Sequence, residues 1–357
     1  MKFLFTAGGS HATVFGAAPL ATAARNAGHE ILLAADEPLM NAAEAIGIPA
    51  VSISPEPIRY GQDSTMASAR LGALLDLSED WPPDLVVGGL SYVPGLLAAH
   101  LKVPYVRQAW IPGAADRDRR AEEELRPELE RLGLSGLPVP ALFIDVRQPS
   151  LRPPNAPSAQ SMRWIPRNRQ RRLEPWMYTR PKGRHRVLIT SGTRTLMLGI
   201  PSSSMRHLVH QLALAGAEVL IAAPEEAAEK FGAELGDVRI GWIPLDAVAS
   251  TCDLAVHHGG ATTAMTLTNA GVPQLIIPDN GFGKAVAQAL SGFGAAVMVE
   301  PHEEGPGQDP GEVIAAGCRE VLSTPRYAQQ AQALATEIAA LPTPCEVVHT
   351  LETLAAV

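Results

Sequence analysis

The sequence predicts an α/β protein built from two doubly wound, Rossmann-like domains. Continuous apolar runs of four to six residues recur along the chain and are separated by helix-length segments. This pattern is typical of parallel strands that helices cover on both faces. The runs form two similar series, which open with KFLFTAGG near the start and with RVLITSGT at 186–193. A length of 357 residues also suits two such domains better than one.

The strands and boundaries follow in chain order. The first series predicts strands at KFLFTAGG, EILLAA, AVSIS, DLVVGG, YVRQA and ALFIDV. The second series predicts strands at RVLITSGT, EVLIAA, RIGWI, DLAVHH, QLIIP and AAVMV. Between them, residues 163–186 carry nine Lys or Arg, a single Glu and three prolines, which indicates a solvated linker. We therefore predict an N-terminal domain at 1–162, a linker at 163–185, a C-terminal domain at 186–325 and a closing helical segment at 326–357.

Composition excludes several classes of protein. Hydrophobic residues make up 46% and charged residues 18%, so the chain can bury large cores. The formal net charge of −8 argues against nucleic acid as a partner. No apolar stretch is long enough to predict a membrane span. The cysteines Cys252, Cys318 and Cys345 are scattered, as free thiols in a reducing cytoplasm would be, so we expect a cytoplasmic protein.

One stretch, CDLAVHHGGATTAMTLTNAGVPQLIIP at 252–278, carries the strongest chemical signal. A strand there runs into two histidines, two glycines and then hydroxyl residues that open a helix. The glycines let backbone approach a ligand, and unpaired amides at a helix N-terminus attract an anion, most often phosphate. His258 adds a ring N–H, with a positive charge when protonated. Alternatively, the segment is an ordinary turn in which both histidines form hydrogen bonds within the protein and bind no ligand.

This region resembles the nucleotide-sugar signature of family 1 glycosyltransferases of the GT-B fold, in the segment WIPLDAVASTCDLAVHHGGATTAMTLTNAGVPQLIIP. The first half, with PLATAARNAGHEILLAA, PDLVVGG and LEPWMYTR, is similar to bacterial enzymes that attach deoxysugars to aromatic polyketides. The resemblance is closest to the C-glycosyltransferases of the urdamycin and landomycin type. It implies two domains facing each other across a cleft, with the substrates bound at the carboxyl ends of the strands.

The implied reaction is metal-independent, inverting transfer from a dTDP-deoxysugar to an aromatic polyketide aglycone in antibiotic biosynthesis, with a C-glycosidic bond. No cofactor is implied besides the donor, and a homodimer is compatible with the sequence. Trp242 would stack on the thymine, and the Ile243 backbone would bind the edge of the base. The resemblance and the motif together assign the phosphates and the sugar to Ser191, Gly192, Thr193, His258, Gly259, Gly260, Thr262, Thr263 and Asn280.

The sequence departs from the family pattern at the sugar. Thr262 stands where the signature usually has Gly, and could offer an extra hydroxyl. Relatives that use ordinary hexose donors carry Asp-Gln after the last strand of the motif, whereas this chain has DNGFGK. The missing pair favours a donor that lacks hydroxyl groups, and Asn280 could bind one that remains.

The catalytic base is the least determined part of the sequence. O-glycosyltransferases of the family place a catalytic His in a first-domain G-H-x-x-P motif, but Thr13 occupies that place here. Threonine is no base near neutral pH, and the C-glycosylating relatives also lack this histidine. His11 and Asp116 are the candidates for the base, and Asp118 or a water molecule is the alternative acceptor. Alternatively, His11 is a loop histidine that only hydrogen-bonds to the backbone, and Asp116 belongs to the solvated start of a helix.

The acceptor pocket is predicted in the first domain, because flat polycyclic ligands need apolar and aromatic walls. The candidate lining residues are Ser10, Phe15, Tyr60, Tyr92, Trp110 and Ile111. Ile111 also occupies the place where the urdamycin-type enzymes have an acidic residue. Each aromatic residue could instead belong to the core.

Other activities stay open at this point. An O-glycosyltransferase, a sugar-nucleotide epimerase or hydrolase, and a non-catalytic donor-binding protein would all share this architecture. A nicotinamide enzyme would explain Asp36 at the end of a strand, but the first loop lacks G-x-G-x-x-G.

Overall fold

The computed structural model describes most of the chain, namely residues 1–57, 63–109, 115–192, 197–225, 228–229, 235, 238–300 and 309–356. The side chains of residues 63–65, 115–117 and 197 are outside this description. The chain divides into two compact units. The N-terminal unit comprises residues 1–147, 152–169 and 340–357, and the C-terminal unit comprises residues 148–151 and 170–339.

A parallel sheet with seven strands in the described residues forms the centre of the N-terminal unit. The strands are β1 (Lys2–Thr6), β2 (Glu30–Asp36), β3 (Ala50–Ser54), β4 (Leu85–Gly88), β5 (Tyr105–Ala109), β6 (Leu142–Asp145) and β7 (Gln160–Ser161). Their order is β3-β2-β1-β4-β5-β6-β7, so the strand order reverses between β1 and β4. The sequence did not predict β7, because two residues are too few to carry a periodic pattern.

The C-terminal unit has a second parallel sheet, of six strands in the part of the chain described. Its strands are β8 (Arg186–Thr190), β9 (Glu218–Ala222), β10 (Arg239–Gly241), β11 (Leu254–His257), β12 (Gln274–Ile276) and β13 (Ala296–Met298). Their order is β10-β9-β8-β11-β12-β13, with the reversal between β8 and β11. Both sheets thus have the doubly wound topology that the sequence predicts.

Helices cover both faces of each sheet. In the N-terminal unit they begin with α1 (His11–Asn26), α2 (Met40–Ala45), α3 (Asp63–Asp80), α4 (Val93–Leu101), α5 (Ala115–Glu124) and α6 (Arg126–Arg131). In the C-terminal unit they are α7 (Pro175–Tyr178), α8 (Ser202–Leu214), α9 (Leu245–Val248), α10 (Ala261–Asn269), α11 (Gly281–Phe293), α12 (Pro310–Ser323) and α13 (Pro325–Ala340). The chain ends on α14 (Pro344–Ala355), which belongs to the N-terminal unit. No helix in the described residues is long and apolar enough to span a membrane.

Burial on both faces explains why the strands are apolar throughout. Val187 and Ile189 of β8 pack in one cluster with Leu208 of α8. Leu188, between them, packs on the opposite face with Leu267 of α10. Successive strand residues point to opposite faces, so a sheet covered on both sides needs an apolar residue at every position.

The end of the chain differs from the sequence-based division. The predicted closing segment at 326–357 contains two helices, α13 and α14, and α14 packs against α1 of the N-terminal unit. The Arg163 amide donates to the carbonyl oxygen of Pro342 at 2.7 Å, so the start of the predicted linker is joined to this returning segment. The N-terminal unit consequently includes residues 152–169, and with them the start of the predicted linker.

Candidate functional site

The C-terminal unit brings its predicted binding loops together at the point where the strand order reverses. Thr190 at the end of β8 pairs with His257 at the end of β11. The segments that follow, Ser191–Gly192 and His258–Gly260, therefore leave neighbouring strands at the same edge. Ligands of doubly wound sheets bind at this edge, outside the carboxyl ends of the strands.

Glycines shape the space around the His258 ring. A Cβ on Gly192 would lie 2.8 Å from Cε1 of His258, and a Cβ on Gly260 would lie 2.5 Å from its Nε2. Gly259 has a φ of +86°, and its Cβ would lie 2.7 Å from the Cα of Gly283. Side chains at these positions would collide with the imidazole or with backbone, so the glycines make room for the half-buried ring between the two loops.

Helix α10 begins directly after these glycines and presents its amides to the same edge. Its N-cap residue is Gly260, and no side chain caps it. The first amides of a helix have no acceptor inside the helix. Thr262 Oγ1 is buried and has no hydrogen-bond partner among the described residues, and Thr263 is half-buried beside it. Amides, hydroxyls and the His258 ring together form a set of donors suited to an anion.

His257 positions this loop, a role that the sequence interpretation did not assign to it. Its wholly buried ring accepts a hydrogen bond from the Gly259 amide at Nδ1, over 3.1 Å. Its Nε2 lies 2.8 Å from Oε1 of Gln274, whose amide donates in turn to Thr268. The ring is therefore neutral, with its proton on Nε2. Burial lowers the pKa of His257 to about 3, helped by the neighbouring His258 and opposed by the hydrogen bond to Gln274. The sequence signal for this role is that His257 is the last residue of a strand that is buried on both faces.

The residues predicted to meet the base lie just after β10. Ile243 is buried in the core, so only its backbone is left to meet a ligand. Trp242 is half-buried, and its carbonyl oxygen accepts a hydrogen bond from Arg171 at 3.0 Å. An arginine of the predicted linker thus holds the backbone of this loop. The stacking role of Trp242 stays a prediction.

The side chain of Asn280 forms hydrogen bonds within the protein. It is the N-cap of α11, and its Oδ1 accepts from the amides of Phe282 and Gly283 at 2.9 and 3.0 Å. Its Nδ2 donates to Oδ1 of Asp279 at 2.6 Å. The side chain predicted to meet a sugar hydroxyl is therefore engaged in holding the helix start. Ser191 is buried directly after β8, and Thr193 lies outside the described residues.

The N-terminal unit contains a pocket, partly open to solvent, at the carboxyl ends of its strands. The loops after β1 and β4 form much of its wall. Its wall includes polar and glycine residues, namely Gly8, Thr13, Arg70, Gly88, Gly89 and Gln108. The pocket lies at the second place where a strand order reverses, next to β1 and β4.

The predicted acceptor residues do not line this pocket where the structure describes them. Phe15 and Tyr92 are buried, with exposed fractions of 6% and 7%. Tyr92 packs in the core, its hydroxyl donates to Asp118 at 2.5 Å, and the Arg107 guanidinium lies 5.0 Å from its ring centre. Ser10 is the N-cap of α1 and is not part of the pocket wall. Tyr60, Trp110, Ile111 and the Asp116 side chain lie outside the description.

The loop after β1 is held by Thr13 and Asp36. Thr13 Oγ1 lies 2.7 Å from the carbonyl oxygen of Ser10, and it accepts from the Gly8 amide at 3.1 Å. Asp36 accepts from the Gly9 amide at 2.8 Å and forms a buried ion pair with Arg70. These contacts give both residues positioning roles: Thr13 cannot act as a base, and Asp36 holds the loop rather than a ribose.

His11 is the described candidate for a base in this unit. It is the first residue of α1, half-buried, and its ring stacks on Phe15 with centroids 6.4 Å apart. Burial holds the pKa of His11 below its ordinary value. The ring is therefore mainly neutral at pH 7 and able to accept a proton. In the described part of the chain, no group of three or more His, Cys, Asp or Glu side chains could hold a metal ion.

Two doubly wound domains, one with an uncapped helix start beside a histidine, have the architecture of a GT-B glycosyltransferase. Comparison with known proteins agrees. Profiles described as erythromycin biosynthesis protein CIII-like match at residues 56–192 for the N-terminal domain and 206–354 for the C-terminal domain. The L-demethylnoviosyl transferase of Streptomyces niveus is 32% identical, over 98% of this chain and 97% of that protein. The chain belongs to the erythromycin biosynthesis protein CIII-like family of glycosyltransferases.

Further relatives and solved structures cover the whole chain. The TDP-daunosamine transferase DnrS of Streptomyces peucetius is 29% identical over 100% of this chain and 97% of that protein. The spinosyn rhamnosyltransferase SpnG is 28% identical with a TM-score of 0.88, covering 99% of this chain and 100% of that one. SpnG has also been solved with thymidine diphosphate, with a TM-score of 0.86. The closer likeness to urdamycin and landomycin C-glycosyltransferases stays a prediction.

Proposed function

We propose that this glycosyltransferase moves a deoxysugar from a dTDP-deoxysugar to an aromatic polyketide aglycone in antibiotic biosynthesis and forms a C-glycosidic bond. The observation that carries the donor assignment is the uncapped start of α10 beneath Gly259 and Gly260, with the His258 ring beside it. Family members with names such as TDP-daunosamine transferase, and the SpnG complex with thymidine diphosphate, support a thymidine diphosphate donor.

The diphosphate would be bound without a metal ion. The amides at the start of α10, the hydroxyls of Thr262 and Thr263 and the His258 ring supply donors for its oxygens. Donors of this kind neutralise part of the phosphate charge in the way a cation would. Trp242 would stack on the thymine, and Ser191, Gly192 and Thr193 would close over the phosphates.

The arrangement at Asn280 favours a sugar with few hydroxyl groups. The side-chain oxygen Oδ1 of Asn280 caps α11, and its Nδ2 donates to Asp279. The side chain therefore offers little to an additional sugar hydroxyl. A deoxysugar has fewer hydroxyls that would otherwise remain unpaired in a closed site.

The bonding change we propose joins carbon to carbon. Removal of the phenol proton makes the ortho carbon of the aglycone nucleophilic. That carbon attacks the anomeric carbon as the bond to the diphosphate breaks on the opposite face, which inverts the configuration. Loss of the ortho proton restores the aromatic ring as a phenolate, and its oxygen takes up one proton to become the phenol again. Of the two protons removed one is therefore returned, and the net products are the C-glycoside, dTDP and one proton. Thr13 at the usual histidine position supports this route, and we assign the proton acceptor to His11, with Asp116 as the second candidate.

Product analysis tests the proposal. The protein is incubated with an aromatic polyketide and either a dTDP-2,6-dideoxyhexose or dTDP-glucose, and the products are analysed by mass spectrometry before and after acid hydrolysis. We expect faster turnover of the dideoxy donor and a product that survives acid. An acid-labile product would instead identify an O-glycosyltransferase. Free sugar released without transfer to the aglycone would indicate a hydrolase.

A further inference from the structure

Two buried polar side chains in the N-terminal pocket keep hydrogen-bonding atoms that no described residue uses. Arg70 is 3% exposed and its Nη2 binds Asp36, whereas its Nη1 has no hydrogen-bond partner among the described residues. Gln108 is 2% exposed and its Nε2 donates to Gly16 at 2.8 Å, whereas its Oε1 has no partner in the same part of the chain. Both residues line the pocket. A buried polar atom left unpaired costs about 1–3 kcal/mol, so this pair of atoms points to an occupant that bonds to them.

The charge of the pocket selects the kind of occupant. The guanidinium of Arg70 is already paired with the carboxylate of Asp36, which also accepts from the Gly9 amide. The ion pair therefore offers a spare N–H without a net charge. An anionic occupant would be buried without a full countercharge, which is costly. The neighbouring wall, including Leu74 and Val87, is apolar and suits a carbon skeleton.

We infer that Arg70 and Gln108 determine acceptor specificity by binding a neutral carbonyl and a hydroxyl group of the aglycone. The carbonyl oxygen accepts from Arg70 Nη1, and the hydroxyl donates to Gln108 Oε1. This inference rests on the proposed function, because it takes the occupant to be the sugar acceptor. It adds the chemical pattern that the acceptor must carry, a keto oxygen and a hydroxyl on one apolar skeleton, as in a hydroxyquinone.

The test measures binding of two probes, 2-hydroxyanthraquinone and unsubstituted anthraquinone, to the full-length protein by tryptophan fluorescence. Gln108→Met should weaken binding of the hydroxylated probe roughly tenfold and leave binding of anthraquinone unchanged, because only the hydroxylated probe bonds to Oε1. The bond from Gln108 to Gly16 is also lost, but it is absent from the free and the bound variant alike. Arg70→Lys keeps a charge for Asp36 but removes the second guanidinium nitrogen, so it should weaken binding of both probes. Leu74→Met, a volume-conserving change in the same wall, is the control and should change neither affinity more than about twofold.

Affinity for dTDP, measured in parallel, separates this inference from the proposed function. If all variants bind dTDP normally and Gln108→Met binds both probes like the wild type, the specificity role is wrong and the proposed function stands. Failure of the wild type to bind 2-hydroxyanthraquinone while it binds dTDP has the same meaning. A wild type that does not bind dTDP rejects the proposed donor. Should Arg70→Lys melt far below the wild type, Gln108→Met alone decides.

Discussion

The imidazole of His258 lies so close to Gly260 that a Cβ at residue 260 would be 2.5 Å from Nε2. Real side chains do not tolerate this distance, so Gly260→Ala must displace the ring. The backbone of Gly260 has a φ of −59°, which alanine adopts without strain. We therefore expect Gly260→Ala to fold but to bind dTDP at least tenfold more weakly in calorimetric titration.

Gly292→Ala in α11 is the matched control for this change. No atom lies within 4 Å of a Cβ at that position. The control should keep the affinity for dTDP and should melt no lower than the wild type, because alanine favours the helix over glycine. Equal dTDP affinity in both variants would mean that the position of the His258 ring does not matter for the donor.

His258→Ala removes the ring itself. One charge-assisted hydrogen bond is worth about 1.5–3 kcal/mol, so dTDP affinity should fall roughly tenfold to a hundredfold, and turnover should fall with it. His349→Ala serves as the control, because His349 is exposed on α14 and pairs with Glu352 at 3.0 Å. Unchanged dTDP affinity in His258→Ala would remove this residue from the diphosphate site.

His257 should make the protein sensitive to acid. Its pKa is lowered from 6.5 to about 3 in the folded state, so the unfolded chain binds the proton more tightly. Folding stability is therefore fully present above pH 6.5 and is lost as the pH falls toward 3.

His257→Gln tests this contribution through urea unfolding between pH 7 and pH 4. The variant should be less stable than the wild type at pH 7, because it disturbs the buried bonds to Gly259 and Gln274. Its stability should also fall less steeply with acid, since glutamine does not titrate. Parallel pH profiles for the two proteins would show that His257 is not the neutral, buried group described above.

Donor binding and transfer should not need a divalent cation. If the start of α10 and His258 bind the diphosphate, dialysis against a chelator should leave both dTDP affinity and turnover unchanged. Activity that disappears with the chelator and returns with magnesium or manganese would overturn the metal-independent proposal.

The sequence predicted those features whose residues are contiguous in the chain, and it did not predict contacts between distant residues. Every strand that was predicted from an apolar run is present, because a strand buried on both faces has apolar residues at consecutive positions. The loop around His258 was also predictable, since strand, glycines and helix start are contiguous. The pair of Asp36 and Arg70 could not be seen, because the two residues are far apart in the sequence and neither belongs to a motif. Tyr92 is an aromatic residue of the kind that lines ligand pockets, but it packs in the core beside Arg107. Only the tertiary structure distinguishes these two locations.

The catalytic base is tested by comparing His11→Ala with Asp116→Asn. Burial lowers the pKa of His11, so the neutral imidazole persists through pH 7 and the rate should fall only in more acidic buffer. If His11 takes the phenol proton, His11→Ala should lower the rate about a hundredfold near neutral pH. That deficit should shrink as the pH rises toward about 10, where a phenol ionises in water without help. Rescue by high pH in Asp116→Asn instead would assign the base to the carboxylate. Rates near that of the wild type in both variants would leave the reaction to orientation of the phenol alone, with no general base from either residue.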